Sequence, residues 1–334
     1  MKDSGHVNIH PAVDRALRVA SAYRPEAAAS AALFLQDIAG DLLTSAASDE
    51  KTWAFSALNR VEFPIEFAFV SGDDSIRYTT EVTGPQISPA ERLNRAETIF
   101  SRLTGTILPG GLGRFLHTAQ RSGNLKYGAW ISGRHRDHGN SFKIYAEIPC
   151  DNGNSNEVTT WEQRIVKRPP VLPSRGVRLC MVGYSADSGG LELYYDTRGL
   201  MPGEIATLMS RIGLESRAEE VRETLQRAYR RPIRRELPGS DFGFSYALPP
   251  KGGPVVFSLY TFANALFGGD SSIRSAVLEL ARVQGWDASL YQEISKPLEN
   301  TRGFITHHGV FGIVAPKTGP LAVTFGLAPP QETI

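Results

Sequence analysis

The feature that most constrains the fold of this chain is a two-strand pattern that returns five times. Each copy alternates apolar and polar residues on both sides of a short segment rich in Gly, Asp, Ser or Pro, which is typical of a β-hairpin. The predicted strand pairs are 63–70 with 75–83, 126–132 with 141–148, 177–184 with 191–196, 242–248 with 255–262, and 310–314 with 321–327. The sequence therefore supplies ten strands that can pair in antiparallel order.

The second strands of these hairpins resemble one another. In three of them a polar residue precedes a tyrosine by two positions, with an aliphatic residue between. Because successive side chains of a strand point to opposite faces, the polar residue and the tyrosine share one face. The recurrence indicates a degenerate internal repeat. The three pairs are Lys143 with Tyr145, Glu192 with Tyr194, and Ser258 with Tyr260.

The segments between the hairpins carry helix signals. Ser88, Pro89 and Glu91 place a cap, a first-turn proline and a first-turn carboxylate at the start of one helix. Apolar residues at three-to-four spacing predict the others. One predicted helix begins at residue 11. The others span 25–47, 88–103, 202–229 and 272–294, the last with a break near 285–286. The polar, Pro-rich segment 151–174 is interpreted as a long surface connection.

Strands with one polar and one apolar face can close into a barrel, which leaves no exposed sheet edge. The helices would then cover the apolar outside, and the polar, tyrosine-bearing face would line a lumen too wide for side chains to fill. The sequence predicts an α/β (α+β) fold, a ten-stranded antiparallel barrel in a ring of helices around a ligand chamber. We expect one domain over 1–334, with a helical part at 1–60 and five hairpin–helix repeats at 63–330.

Composition excludes several classes of protein. A formal net charge of +1 argues against a dedicated nucleic-acid binder, and no apolar stretch is long enough for a membrane span. The first residues lack the apolar run of a secretory signal. The two cysteines, Cys150 and Cys180, fit a reducing compartment and are too few for a Cys₄ zinc site. We therefore expect a cytoplasmic protein.

Two stretches of predicted strand resemble the aromatic prenyltransferases of the ABBA barrel type, and most closely the indole prenyltransferases typified by dimethylallyltryptophan synthase. Residues 63–67, Phe-Pro-Ile-Glu-Phe, followed by 76–81, Ile-Arg-Tyr-Thr-Thr-Glu, resemble the Pro-x-Glu strand of that family and its Arg-bearing return strand. Residues 142–145, Phe-Lys-Ile-Tyr, resemble its Lys-x-Tyr strand. The pattern covers 63–330 and implies the barrel of repeated αββα units found in that family.

The resemblance also implies a reaction and a set of roles. A prenyl group, dimethylallyl by expectation, would move from its diphosphate to an aromatic acceptor, the indole of tryptophan or of a Trp-containing peptide or natural product. Glu66 would hold the indole N–H, and Arg77 and Lys143 would bind diphosphate without an obligatory metal. Tyrosines would shield the allyl cation from water. The implied shielding residues are Tyr145, Tyr194 and Tyr260.

The chain departs from the family pattern in three hairpins, and in the fifth hairpin Thr324 and Phe325 stand where tyrosines are common. Glu192 stands where a cation usually precedes the third-strand tyrosine, and Ser258 stands where Gln or Lys is common in the fourth. Glu192 and Ser258 therefore reduce the number of residues expected to bind phosphate. Four other cations are candidates to compensate, although the sequence does not place them. They are Arg134, Arg136, Arg178 and Lys317.

Two alternatives stay open at this stage. One keeps the fold and takes a phenolic acceptor or a geranyl donor. The other is a barrel that binds a hydrophobic ligand or a peptide without doing chemistry.

Several further residues have ordinary interpretations. Asp73 and Asp74 form no Asp-rich metal motif and are predicted to be turn residues. Glu81 and Glu147 are predicted to be partner charges for the cations on their strands. The His135-x-x-His138 pair is predicted to lie in a solvated loop, because its spacing fits no zinc pattern.

Overall fold

Ten strands of the computed structural model form one closed antiparallel barrel, and consecutive strands are neighbours all the way around. The structure describes residues 9–43, 53, 55–149, 156–250 and 255–331. The strands are β1 (Ile65–Val70), β2 (Ile76–Glu81), β3 (Ala129–Arg136), β4 (Gly139–Glu147), β5 (Val177–Ser185), β6 (Leu191–Arg198), β7 (Asp241–Leu248), β8 (Val256–Phe262), β9 (His308–Pro316) and β10 (Ala322–Leu327). The predicted barrel of five hairpins is confirmed.

The barrel closes between its first and last strands. β1 pairs with β10 from Phe67 opposite Leu327 to Val70 opposite Thr324. Ser71 extends this contact, because its amide donates to the carbonyl of Val323 and its hydroxyl accepts from the amide of Val323. Strand direction alternates around the barrel, so all five hairpin turns lie at one end and the longer connections lie at the other. We call these the hairpin end and the helix end.

Helices cover the outer face of the barrel. They are α1 (Pro11–Tyr23), α2 (Pro25–Ala39), α3 (Pro89–Thr104), α4 (Gly110–Arg121), α5 (Asn156–Val166), α6 (Pro202–Ser210), α7 (Ala218–Tyr229), α8 (Ala263–Phe267), α9 (Asp270–Gln284) and α10 (Ser289–Ile294). Outward aromatic side chains of the strands are buried beneath them. The Tyr246 hydroxyl donates to the Leu208 carbonyl of α6, and Phe142 packs edge-on against Phe34 of α2.

The helix boundaries follow local signals, with three differences from the prediction. The predicted helix 202–229 is two helices, because the chain leaves α6 through a turn that includes Gly213 at φ 70°. The predicted surface connection 151–174 contains α5, whose Trp161 stacks on Phe115 of α4. The structure ends α2 at Ala39, and the predicted continuation at 44–47 lies outside the described residues. The predicted break at Gly285 is confirmed.

The predicted solvated position of His135 is wrong. This residue lies in β3 on the outer face and is fully buried. One ring nitrogen contacts the Tyr78 hydroxyl at 3.1 Å and the other contacts Oδ1 of Asn140 at 2.7 Å. Strand pairing continues farther toward the turn than the Gly- and His-containing sequence suggests, which carries His135 into the packed layer beside Phe34.

Candidate active site

The predicted site residues lie on the inward-facing positions of their strands. Each alternates with neighbours that are buried against the helices: Lys143 and Tyr145 lie between Phe142, Ile144 and Ala146, for example. Strand alternation therefore directs the six side chains into the barrel. They are Glu66, Arg77, Lys143, Tyr145, Tyr194 and Tyr260.

Lys143 and Glu192 form an ion pair inside the barrel. The Lys143 ammonium donates to the Glu192 carboxylate and, at 3.0 Å, to the Tyr194 hydroxyl. The contact passes over β5, which has Gly183 at this place; a Cβ there would lie 2.4 Å from Cε of Lys143. The second Glu192 oxygen accepts from the Ser245 hydroxyl. Glu192 therefore neutralises the lysine that the resemblance assigned to diphosphate.

Electrostatics keep both partners of this pair charged. Burial acts to lower the pKa of Lys143, but the nearby Glu192 and Tyr145 oxygens outweigh it and raise that pKa. Burial acts to raise the pKa of Glu192, but Lys143 outweighs it and lowers that pKa. Burial, followed by the negative charge of Glu192, raises the pKa of Tyr194 well above its ordinary value. Tyr194 is therefore neutral and acts as a hydrogen-bonding, π-rich wall.

Three tyrosine rings line one side of the lumen. Tyr145 and Tyr194 meet edge to face with centroids 5.8 Å apart, and Tyr194 stacks with Tyr260 at 6.3 Å. The Lys143 ammonium lies 4.9 Å from the Tyr145 ring centroid and 5.2 Å from that of Tyr194. Such faces attract positive charge and exclude water. The rings already hold one cation in this arrangement.

Glu66 points from β1 into the lumen, beside glycines of β9 and β10. No hydrogen-bond donor in the described part of the chain contacts its carboxylate, and burial raises its pKa to about 8. The space for it comes from two glycines on neighbouring strands: a Cβ on Gly309 or Gly326 would lie 2.2 or 2.1 Å from its oxygens. An inward-pointing carboxylate without a partner is poised to accept a hydrogen bond or a proton from a ligand.

Arg77 belongs to a cluster that the sequence did not reveal. Arg134 on β3 lies directly opposite Arg77, and Arg136 is the next inward position along β3. All three guanidiniums form ion pairs with one carboxylate, that of Asp73 in the β1–β2 turn. Burial lowers the pKa of Arg77 to about 10, and the like charge of Arg136 adds to the effect. We call Arg77, Arg134 and Arg136 the arginine cluster.

Depth in the barrel separates the arginine cluster from Glu66. Arg77 is opposite Ala68 on β1, whereas Glu66 is opposite Thr79. Glu66 therefore lies one inward-facing position farther from the hairpin end, a step of about 7 Å along a strand. An aromatic ring could lie against Glu66 while an anion contacts the arginines.

Two other groups of predicted residues have different surroundings from those expected. Glu81 accepts from the Ser56 hydroxyl and the Ala57 amide, and Glu147 accepts from backbone amides of 126–128. The prediction that they are partner charges of Arg77 and Lys143 is wrong, because strand ends bring them to unpaired backbone amides instead. Arg178 pairs with Asp196, outside the arginine cluster.

The described residues provide neither a membrane-spanning helix nor a cluster of metal ligands. Their helices include none that is both long and apolar enough to cross a membrane. Their His, Cys, Asp and Glu side chains form no group of three or more that could hold a metal ion.

No protein-family model and no curated protein sequence match this chain, but solved structures do. The 5-dimethylallyl tryptophan synthase of Streptomyces coelicolor, in complex with DMASPP and Trp, matches with a TM-score of 0.78 at 16% identity, over 98% of this chain and 97% of that chain. The 6-dimethylallyltryptophan synthase of Micromonospora olivasterospora, in complex with DMASPP and Trp, matches with a TM-score of 0.75 at 17% identity, over 97% of this chain and 98% of that chain. AnaPT of Neosartorya fischeri matches with a TM-score of 0.63 at 16% identity, over 98% of this chain and 94% of that chain. At these identities the likeness shows that the fold is shared.

Proposed function

We propose that this chain is an aromatic prenyltransferase that transfers a dimethylallyl group from its diphosphate to an indole, as in tryptophan or a Trp-containing molecule. The observation that carries the proposal is the content of the lumen. One closed barrel presents, on its inner wall, a carboxylate that no described residue pairs with, a row of tyrosine faces and an excess of cations. Solved dimethylallyltryptophan synthases, two of them in complex with DMASPP and Trp, have the same fold and support this choice.

The first step is loss of diphosphate from the donor. The allylic C–O bond breaks, its electron pair leaves with the diphosphate oxygen, and the prenyl carbon becomes an allyl cation. Guanidinium and ammonium groups fixed beforehand stabilise the charge that gathers on the leaving group. Arg77 and Lys143 are the proposed ligands, as the family resemblance implies. The described barrel adds Arg134 and Arg136 beside Arg77.

The allyl cation must survive until the acceptor attacks. Tyr145, Tyr194 and Tyr260 are proposed to shield it, because their faces attract positive charge and keep water away. The position of Lys143 over two of these rings supports the role, since the rings already accommodate a cation there.

The acceptor supplies the electron pair of the new bond. A ring carbon or nitrogen of the indole bonds to the allyl cation, and the ring then loses one proton to regain aromaticity. Glu66 is proposed to accept the indole N–H, which raises the nucleophilicity of the ring, and to take up the released proton. With a pKa of about 8, part of the Glu66 population is ionised near neutral pH, and the ionised form that performs both tasks predominates above that pKa.

A turnover assay tests the proposal. The purified protein is incubated with dimethylallyl or geranyl diphosphate and EDTA, against tryptophan, indole, tyrosine and Trp-containing peptides, and product mass is followed. We expect a gain of one dimethylallyl unit on an indole substrate. Glu66→Gln should then lower kcat/KM about 100-fold, within the usual range for loss of a general base.

The controls separate the alternatives. Glu279→Gln removes a carboxylate of α9 whose partner is the exposed Arg282, and it should leave turnover unchanged. Product on tyrosine alone would indicate a phenolic acceptor, and product with geranyl diphosphate alone would indicate the longer donor. Neither product nor pyrophosphate from any pair would contradict the proposal and favour a barrel that binds ligand without chemistry.

A further inference from the structure

Asp73 has a position that turn geometry alone does not explain. Its Oδ1 accepts from the Ser75 amide at 3.1 Å, an ordinary turn contact. Its Oδ2 accepts from Arg77 and, at 2.7 Å, from Arg134, and Arg136 approaches Oδ1 at 3.5 Å. The Asp73 side chain is 9% exposed, so the arginine cluster nearly encloses it.

Arg77 and Arg134 hold the turn in the same way. Each donates from Nε to the Ser75 hydroxyl, at 3.0 and 3.1 Å, and from Nη2 to Asp73. Two neighbouring donors of a guanidinium therefore meet two neighbouring oxygens, which is how arginine binds phosphate. Each guanidinium has five N–H donors, and within the described ranges these two arginines donate to no other acceptor. The turn thus supplies an acceptor pair of the kind a phosphate would offer.

The charges around the turn do not balance. Three arginines around one carboxylate leave a formal surplus of two positive charges. The Lys143–Glu192 pair, by contrast, is neutral. A diphosphate carries at least two negative charges. The arginine cluster, more than Lys143, therefore offers the stronger attraction for it.

We propose that the arginine cluster binds the diphosphate of the donor, and that Asp73 is its resident counterion, displaced from the guanidiniums when diphosphate arrives. The identity of the anion rests on the proposed function; the site itself rests on the contacts above. Before binding, Asp73 holds mutually repelling arginines in place. Afterwards it competes with the product diphosphate and promotes its release.

Calorimetric titration with inorganic pyrophosphate tests this proposal without requiring turnover. Asp73→Asn keeps one carbonyl oxygen as acceptor but removes the competing charge. We expect pyrophosphate to bind Asp73→Asn at least three-fold more tightly than the unaltered protein, and more salt to reduce the difference. Equal or weaker binding would overturn the proposal, because Asp73 would then only position the arginines.

A second variant keeps the test decisive if Asp73→Asn does not fold. Arg136 is 47% exposed, so Arg136→Gln should fold, and it should weaken pyrophosphate binding at least three-fold. Unchanged binding in Arg136→Gln, or no binding to the unaltered protein, would contradict the site. Glu279→Gln, which breaks an exposed Arg–carboxylate pair, should leave binding unchanged.

The two proposals fail separately in these experiments. Tighter pyrophosphate binding by Asp73→Asn without prenyl transfer by the unaltered protein would support the counterion and reject the reaction. Prenyl transfer by the unaltered protein, together with equal or weaker pyrophosphate binding by Asp73→Asn, would support the reaction and reject the counterion.

Discussion

Folding buries the carboxylate of Glu66, and the described ranges supply no hydrogen-bond donor to it. Gly309 and Gly326 have no side chain, which leaves room for the Glu66 oxygens. Burial raises the pKa of Glu66 to about 8. Its ordinary pKa is 4.5, so from that pH up to about 8 the unfolded chain has released a proton that the folded chain keeps. The free energy of unfolding therefore falls as pH rises across this range.

The pH dependence of Glu66→Gln checks this account. Under the proposed mechanism, kcat/KM of the unaltered protein should rise with pH and level off above about 8, because only the ionised carboxylate can take up the proton that the ring releases. Glu66→Gln should lose this inflection. It should also raise the midpoint of thermal unfolding by an amount that grows between pH 4.5 and 8. An unchanged inflection in the variant would assign the titration to another group.

The site residues show how far sequence reasoning reaches at this scale. Alternation along one strand suffices to place Lys143 and Tyr145 on the same inner face. The neighbours of Arg77 depend instead on the register between β2 and β3, which puts Arg134 opposite it. No local pattern encodes that register, so Arg134 could be named only as a candidate and Asp73 only as a turn residue.

The strands gain their inner space from glycines on adjacent strands. Gly183 on β5 lies between Lys143 and Glu192, and Gly312 on β9 faces the Tyr260 ring, 2.6 Å from where a Cβ would be. Glycine in the interior of a strand ordinarily weakens that strand. Here they let large side chains lie flat across a neighbouring strand. The hairpins could be predicted from alternation and turns, whereas this use of glycine needs the paired strands.

A pair of glycine variants tests this element-scale role. Gly183→Ala should displace Lys143, break its contact with Glu192 and lower kcat/KM at least ten-fold, because the new Cβ would lie 2.4 Å from Cε of the lysine. Gly176→Ala, just before β5, meets nothing within 4 Å and should have little effect. Circular dichroism should show both variants folded. Equal activity in the two would mean that the room at Gly183 is not required.

At the scale of the whole molecule, closure joins residues from the two ends of the sequence. β1 and β10 complete the ring, and Ser71 ties its turn to Val323 by two hydrogen bonds. Without that pairing, both β1 and β10 would have an open edge. Open edges recruit strands from other molecules. The barrel should therefore form only when both ends are present.

Truncation checks this dependence. A chain ending after residue 321 lacks β10, and we expect it to self-associate in size-exclusion chromatography and to lose a single cooperative unfolding transition. Adding a separate peptide of residues 322–331 should partly restore the monomer by supplying the missing strand. A truncated chain that stays monomeric and unfolds cooperatively would show that the remaining nine strands close by themselves.

The two ends of the barrel differ in how freely they can change over evolution. The arginine cluster lies at the hairpin end, where β3 and β4 are joined by only Asp137 and His138. The helix end carries every long connection between hairpins. Insertions there can remodel one rim and leave the short turns intact. If the chain has the proposed function, the acceptor can change through the helix end while the arginines at the hairpin end keep the same donor diphosphate.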